Sequence, residues 1–196
     1  MNRRLLSFTA AAIVLVALAL IGLRHVRSDQ GNLVARLDSA KPVASADPRV
    51  RFSVLAKRHT NQCALHARSL QTLARGGRLQ GACCSPMGYQ EYRKQLRGLE
   101  RYRAVGEIPK DPYDVPVSLA KRLIGYRDAL KLNAPKQAVY DRAVKLAKEH
   151  GPCCCHCWRW DAFEGQAKFL ISQRAYTSPQ IAKVWDLEDG CGSGEA

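Results

Sequence analysis

The residues with the clearest chemical capacity form one motif, Pro152–Cys157, with the sequence PCCCHC. It places four thiols and an imidazole at five consecutive positions. A buried structural cysteine packs as a small apolar residue, so packing alone does not require four of them together. Neighbouring thiols also resist ionising together, because each thiolate raises the pKa of the next. A cation or a disulfide bond relieves this repulsion, so the motif predicts metal chemistry or redox chemistry.

Metal binding is the first interpretation, because thiolate and imidazole ligands suit Zn(II) and Cu(I). In an extended loop alternate side chains share a face, so Cys153, Cys155 and Cys157 are predicted to converge on one ion. Zinc ligand pairs usually leave roughly two to four residues between cysteines, whereas three-coordinate thiolate copper fits the tighter spacing of this motif. The supporting candidate ligands are Cys154, His156, Cys83 and Cys84.

Thiol–disulfide exchange is the alternative interpretation, with Cys154 and Cys157 as the redox pair. A nearby imidazolium or helix N-terminus would make such a thiol reactive. No βαβ pattern precedes the motif, and Trp158 stands where a c-type haem attachment needs histidine. A disulfide-stapled domain without chemistry is the third interpretation. We identify no other catalytic residues, and a binding protein is favoured over an enzyme.

The remaining cysteines extend the candidate site, and the chain has eight cysteines in all. Adjacent cysteines have Cα atoms about 3.8 Å apart, which is below the usual disulfide range. We therefore expect Cys83 and Cys84 to reach elsewhere, and the motif loop is the natural target. Cys191, which follows the last predicted helix, is a further candidate. The even number permits complete pairing but does not give the connectivity.

Helical periodicity dominates residues 49–190, and the apolar alternation typical of strands is scarce. One predicted helix begins at Thr60 and ends at Gly76, which would place Cys63 and His66 on its core face. Proline in a first turn marks three further helix starts, at Pro86, Pro135 and Pro179. We predict a mostly α fold with a small domain of five or six helices and a cysteine-rich loop between two of them.

The segments before this domain predict a membrane anchor and a linker. An uncharged apolar run from Leu5 to Leu23 would span about 28 Å as a helix, close to the hydrocarbon thickness of a bilayer. We predict an uncleaved signal-anchor over residues 1–27, a flexible linker over 28–48, the helical domain over 49–190 and a tail over 191–196. The expected localisation is single-pass in a membrane, with the domain extracytoplasmic.

The formal charge of +14 is concentrated in one half of the domain. Residues 49–103 contain twelve Lys and Arg but only two acidic residues, Glu91 and Glu100. Such a basic region is attracted to anionic lipid or to cell-wall polymer. A solvated basic surface without a partner is the simpler alternative. No nucleic-acid-binding motif accompanies the charge, so nucleic acid is not expected as a partner.

The motif Pro152–Cys157 resembles that of a bacterial family named for its Pro-Cys-Tyr-Cys-Gly-Cys sequence. The proline and three alternating cysteines match in register, whereas Cys154 replaces tyrosine and His156 replaces glycine. The resemblance covers the C-terminal region from the motif to Cys191. It implies a membrane-attached protein of a family without an established reaction. Many members have lipoprotein leaders, but no cysteine directly follows the apolar run in this chain.

Overall fold

A computed structural model of the protein describes residues 35–193, in which helices predominate. The elements, in chain order, are α1 (Pro48–Leu55), α2 (Ala67–Gln71), β1 (Arg78–Gln80), α3 (Tyr89–Leu99), a 3-10 turn (Glu100–Tyr102), β2 (Asp114–Pro116), α4 (Val117–Ala129), α5 (Ala134–Leu146), α6 (Trp158–Arg174) and α7 (Ser178–Glu188). The prediction of a mostly α fold is confirmed. Within the described residues, seven α-helices follow position 47, rather than five or six.

The predicted localisation as a single-pass membrane protein is contradicted. No helix within residues 35–193 is both long enough and apolar enough to cross a bilayer. The longest of these helices, α6, has 17 residues and carries several charged side chains, whereas a spanning helix needs about 20 mainly apolar residues. The predicted anchor, residues 1–27, lies outside the described part of the chain.

The described end of the predicted linker packs against the domain. Leu37 is fully buried. The guanidinium of Arg51 donates to the carbonyl of Val43 at 2.7 Å, and the amide of Gln80 donates to the carbonyl of Lys41 at 2.8 Å. These contacts hold the backbone directly, so this stretch belongs structurally to the domain and differs from the flexible linker that its composition suggested.

Helices α4 and α6 form the most extensive helix pair of the domain. Gly165 of α6 lies at their closest approach, where a Cβ atom would collide with the carbonyl of Leu123 and lie 2.6 Å from the backbone nitrogen of Arg127. Tyr126 and Phe169 stack beside this crossing, with ring centroids 4.7 Å apart. The pair matters for function because α6 begins immediately after the cysteine motif.

Helix α7 carries the chain to the last cysteine. Its start is stabilised by a capping box, in which Thr177 and Gln180 satisfy each other's backbone donors. Tyr140 of α5 packs edge-on against Trp185 of α7, with centroids 5.7 Å apart. Because α7 ends at Glu188 and is fixed on the domain, the residues that follow it have a defined position.

Strand β1 pairs antiparallel with β2, and this small sheet explains why one predicted helix is wrong. The backbone nitrogen of Gln80 donates to Oγ1 of Thr60 at 2.8 Å, and that hydroxyl donates to the carbonyl of Arg78 at 3.1 Å. Thr60 is therefore held against β1 and does not cap a helix. The helix forms only later, as α2, so Cys63 lies in the preceding loop.

Candidate metal centre

The thiols of the protein converge at one place in the fold. Four chain segments meet there: the loop before α2, the loop between β1 and α3, the loop between α5 and α6, and the residues after α7. Together they bring in Cys63, Cys83, Cys84, Cys153, Cys154, Cys155, Cys157 and Cys191. All eight are free thiols, and their sulfurs form one connected group.

The outer side of this group is partly open to solvent. The sulfur of Cys63 lies 2.6 Å from that of Cys84 and 3.5 Å from that of Cys155. The sulfur of Cys84 lies 3.9 Å from that of Cys154. Cys84 and Cys154 are exposed, whereas Cys63 and Cys155 are half-buried. An ion could therefore reach these sulfurs without any opening of the fold.

The inner side is shielded by the protein. The sulfur of Cys191 lies 3.8 Å from that of Cys83 and 3.8 Å from that of Cys153. The sulfurs of Cys153 and Cys157 lie within 4.8 Å of each other. The two sides are joined where the sulfurs of Cys83 and Cys84 approach to 3.3 Å. Cys153, Cys157 and Cys191 are buried, which keeps water away from these three sulfurs.

Backbone hydrogen bonds fix the C-terminal segment against the Cys83–Cys84 loop. The nitrogen of Cys83 donates to the carbonyl of Gly190 at 3.1 Å, and the nitrogen of Ser85 donates to the carbonyl of Cys191 at 2.8 Å. Gly192 follows with a φ of +90°, and a Cβ there would collide with the carbonyl of Ser85. Glycine therefore permits the close approach of these two loops.

The motif loop is fixed through Trp158, the first residue of α6. Its backbone nitrogen donates to the carbonyl of Leu65 at 2.8 Å. Its indole nitrogen donates to Oδ1 of Asn61 at 2.9 Å, and the side chain is fully buried. Because Asn61 and Leu65 flank Cys63, these two bonds bring that thiol to the motif.

The sulfurs fall into four groups of three, within each of which all sulfurs lie within 4.8 Å of one another. The groups are Cys63, Cys84 and Cys155; Cys83, Cys84 and Cys191; Cys153, Cys154 and Cys191; and Cys153, Cys155 and Cys157. The last group contains the three residues that alternate along the motif. The cysteines are therefore near enough to one another to hold a metal ion.

Two histidines considered in the sequence analysis, His156 and His66, lie outside the sulfur groups. The His156 ring packs on Trp160, with ring centroids 3.9 Å apart, and within residues 35–193 it joins none of the close ligand groups. His66 is exposed just before α2, so its predicted core position is wrong. Cys63, which the same prediction placed in the core, lies in the sulfur group. Both predictions, for His66 and for Cys63, are wrong because no helix begins at Thr60.

A buried cation lies behind the inner sulfurs. The Arg159 guanidinium is fully buried and donates to the carbonyls of Pro112 and Glu188. It also lies over the ring of Trp158 at 4.9 Å from the centroid and over that of Phe163 at 5.7 Å. Among the described residues, no carboxylate forms an ion pair with Arg159. The guanidinium interacts electrostatically with the thiols of Cys83, Cys153, Cys157 and Cys191, and also with the buried carboxyl of Glu188.

The thiols differ in how readily they ionise. Burial, together with the charge of Cys157, raises the pKa of Cys155. The hydrogen bond from Cys191 favours the thiolate of Cys83, but burial and the neighbouring Cys84 together raise the pKa of Cys83 to about 11. Burial disfavours the thiolate of Cys63, yet hydrogen bonds from Cys84 and Cys155 lower its pKa. Most of these thiols are therefore protonated at neutral pH unless a cation replaces the protons.

Comparisons with protein-family models, with curated proteins and with solved structures gave no match for this chain. The chemistry of the sulfur group is the remaining guide to function. Thiols this close together bind soft cations when they are deprotonated and form disulfide bonds when they are oxidised.

Proposed function

We propose that this protein binds a soft metal ion, Cu(I) or Zn(II), through Cys153, Cys155 and Cys157. The observation that carries the proposal is the approach of these three sulfurs to within 4.8 Å of one another, two of them on buried residues. Such a set of thiolates offers a soft ion a partly dehydrated position. The other five cysteines belong to close groups that share a sulfur with this group, directly or through a neighbouring group.

The environment of the thiols supports a bound cation. Eight thiols packed together repel one another when ionised, and a metal ion removes that repulsion. The hydrogen bonds at Ser85 and Trp158 hold the loops without using any thiol, so the sulfurs are left free for an ion. A site that is arranged before binding loses less conformational entropy when the ion enters.

The first test is a metal and free-thiol count on the full chain, purified without oxygen. We expect copper or zinc at one or more ions per chain, and all cysteines reactive after chelation. A variant with Ser at positions 153, 155 and 157 should lose most of this metal. His66→Ala is the control, because it removes an exposed imidazole outside the sulfur group and should bind as the wild type does.

Two outcomes would contradict metal binding. One is a reduced chain that takes up neither ion, and the other is a triple-serine variant that binds as the wild type does. A metal-free chain with oxidised Cys63 and Cys84 would instead favour thiol–disulfide exchange. That second function is supported by the 2.6 Å separation of these two sulfurs, by the exposure of Cys84 and by the lowered pKa of Cys63. Cys154 is exposed and Cys157 is buried, and the two share none of the close sulfur groups, which makes them a poorer redox pair.

Metal affinity should rise with pH. The pKa values of Cys153, Cys155 and Cys157 are raised, so at neutral pH each thiol must lose a proton when the ion binds. For three protons the association constant should change by up to about a thousandfold per pH unit. Competition with a chelator at pH 6, 7 and 8, corrected for the chelator's own protonation, measures this slope. A pH-independent affinity would show that these thiols are not the ligands.

A further inference from the structure

We propose that the eight cysteines together form one tetranuclear Cu(I)–thiolate cluster, in which four ions share four bridging sulfurs. This inference rests on the proposed function and specifies which ion is bound, how many and in what arrangement. The cluster differs from a single site at the motif because Cys63, Cys83, Cys84 and Cys191 also bind copper directly.

The pattern of shared sulfurs is the main observation. Each of four cysteines belongs to two of the four close groups: Cys84, Cys191, Cys153 and Cys155. Each of the other four belongs to a single group: Cys63, Cys83, Cys154 and Cys157. The shared sulfurs link the groups into a closed ring, with each group joined to two neighbours. One ion per group therefore gives four ions with one bridging sulfur between each pair of neighbours.

The size of each group favours Cu(I) over Zn(II). Every group contains three sulfurs, whereas a structural zinc site is almost always closed by four protein ligands. For a metal–sulfur distance of about 2.3 Å, trigonal geometry separates the sulfurs by about 4.0 Å. Four of the sulfur separations within these groups run from 3.3 to 3.8 Å, just below this value, and the Cys63–Cys84 separation is shorter, at 2.6 Å. Small adjustments of side chains would bring three sulfurs around each ion.

Charge balance points to the same ion. Binding four Cu(I) ions releases the protons of eight thiols, so the cluster carries a formal charge of −4. Four Zn(II) ions with the same thiolates would be neutral. The buried guanidinium of Arg159 interacts with the inner thiols and forms no salt bridge with any described carboxylate. The Glu188 carboxyl also interacts with it, but burial raises the pKa of that carboxyl and favours its uncharged form. A buried charge requires a counter-charge, and an anionic copper cluster supplies one.

The test is a Cu(I) titration of the reduced full chain without oxygen, against a competing Cu(I) chelator. We expect about four ions per chain, one for each group of three sulfurs. X-ray absorption should show sulfur as the first shell and copper as a second scatterer, because bridged ions lie close together. One ion per chain, or four ions without copper–copper scattering, would overturn the cluster while leaving metal binding intact. A reduced chain that binds no Cu(I) or Zn(II) would overturn the proposed function itself.

Two serine variants distinguish bridging from terminal sulfurs. Cys84 belongs to two groups and Cys154 to one, and both are exposed, so neither replacement should disturb the core. Cys84→Ser should reduce the copper count from about four to about two, and Cys154→Ser from about four to about three. Circular dichroism of the metal-free variants checks that both fold. Equal losses of copper in the two folded variants would overturn the proposed sharing of sulfurs.

Discussion

Replacing Arg159 by methionine is expected to lower the free energy of unfolding by about 3 kcal/mol, because two buried carbonyl groups lose their donor. The guanidinium is fully buried, and it donates to Pro112 and Glu188 while it packs over Trp158 and Phe163. Methionine fills much of the space but supplies neither the hydrogen bonds nor the charge. Urea denaturation of the metal-free chain measures this loss.

The same variant tests the electrostatic role of the guanidinium. If it balances an anionic metal cluster, Arg159→Met should destabilise the copper-loaded chain more than the metal-free chain. Arg159→Lys is the matched control, since it keeps the charge but loses the planar fork, and it should recover part of the copper-dependent difference. Equal destabilisation with and without copper would show that Arg159 acts only through packing and its two carbonyl partners.

Gly165→Ala should have the second large effect, a loss of about 3 kcal/mol from overpacking between α4 and α6. The added methyl group would collide with the carbonyl of Leu123, and backbone atoms cannot move aside as a flexible side chain can. Since α6 begins at the cysteine motif, separation of the two helices should also weaken metal binding. Thermal unfolding and copper titration of the same preparation measure both effects.

Gly125→Ala provides the control on the partner helix. Gly125 lies on the exposed face of α4, and a Cβ there meets no atom within 4 Å. This replacement should stabilise the protein by about 0.5–1 kcal/mol, because alanine is a better helix former than glycine. If both alanine variants changed stability alike, the close approach at Gly165 would not explain its effect.

Local patterns predicted much of the helical framework. Pro135 and Pro179 lie in the first turns of α5 and α7, as expected of proline at helix starts. The helical spacing of Val139, Ala143 and Leu146 predicts that all three face inward, but Leu146 lies in the last turn of α5 and is 49% exposed. Helical spacing indicates which residues share a face, yet it does not say how far a neighbouring element covers that face.

The two local errors that matter for the site come from contacts between distant parts of the chain. Thr60 is a good helix cap in isolation, but it is held by β1, which lies 20 residues further along. Pro86 predicts a helix capped by the preceding Ser85, but the backbone nitrogen of Ser85 donates to the carbonyl of Cys191 and the helix begins only at Tyr89. Neither hydrogen bond can be predicted from the residues close to Thr60 or Ser85 in the sequence.

The sequence predicted the motif cysteines of the candidate site, but it did not predict all the cysteines that join them. The density of thiols in Pro152–Cys157 marked the site, and the adjacency of Cys83 and Cys84 suggested that they reach elsewhere. Cys63 was missed because its apparent helical neighbours, Leu70 and Leu73, suggested a core position. Its true neighbours are set by the bonds of Trp158 to the residues on either side of it. Only the folded chain brings that thiol to the others.

Because the site is assembled from four separate segments, metal binding there would be linked to the folding equilibrium. Cys83 and Cys191 are 108 positions apart in sequence, and their sulfurs lie 3.8 Å apart only in the folded chain. An ion that binds this arrangement and not the unfolded chain acts as a removable cross-link, which closes long loops and stabilises the native state by mass action. Depletion of the ion would remove this stabilisation, so the lifetime of the folded protein would follow the supply of metal.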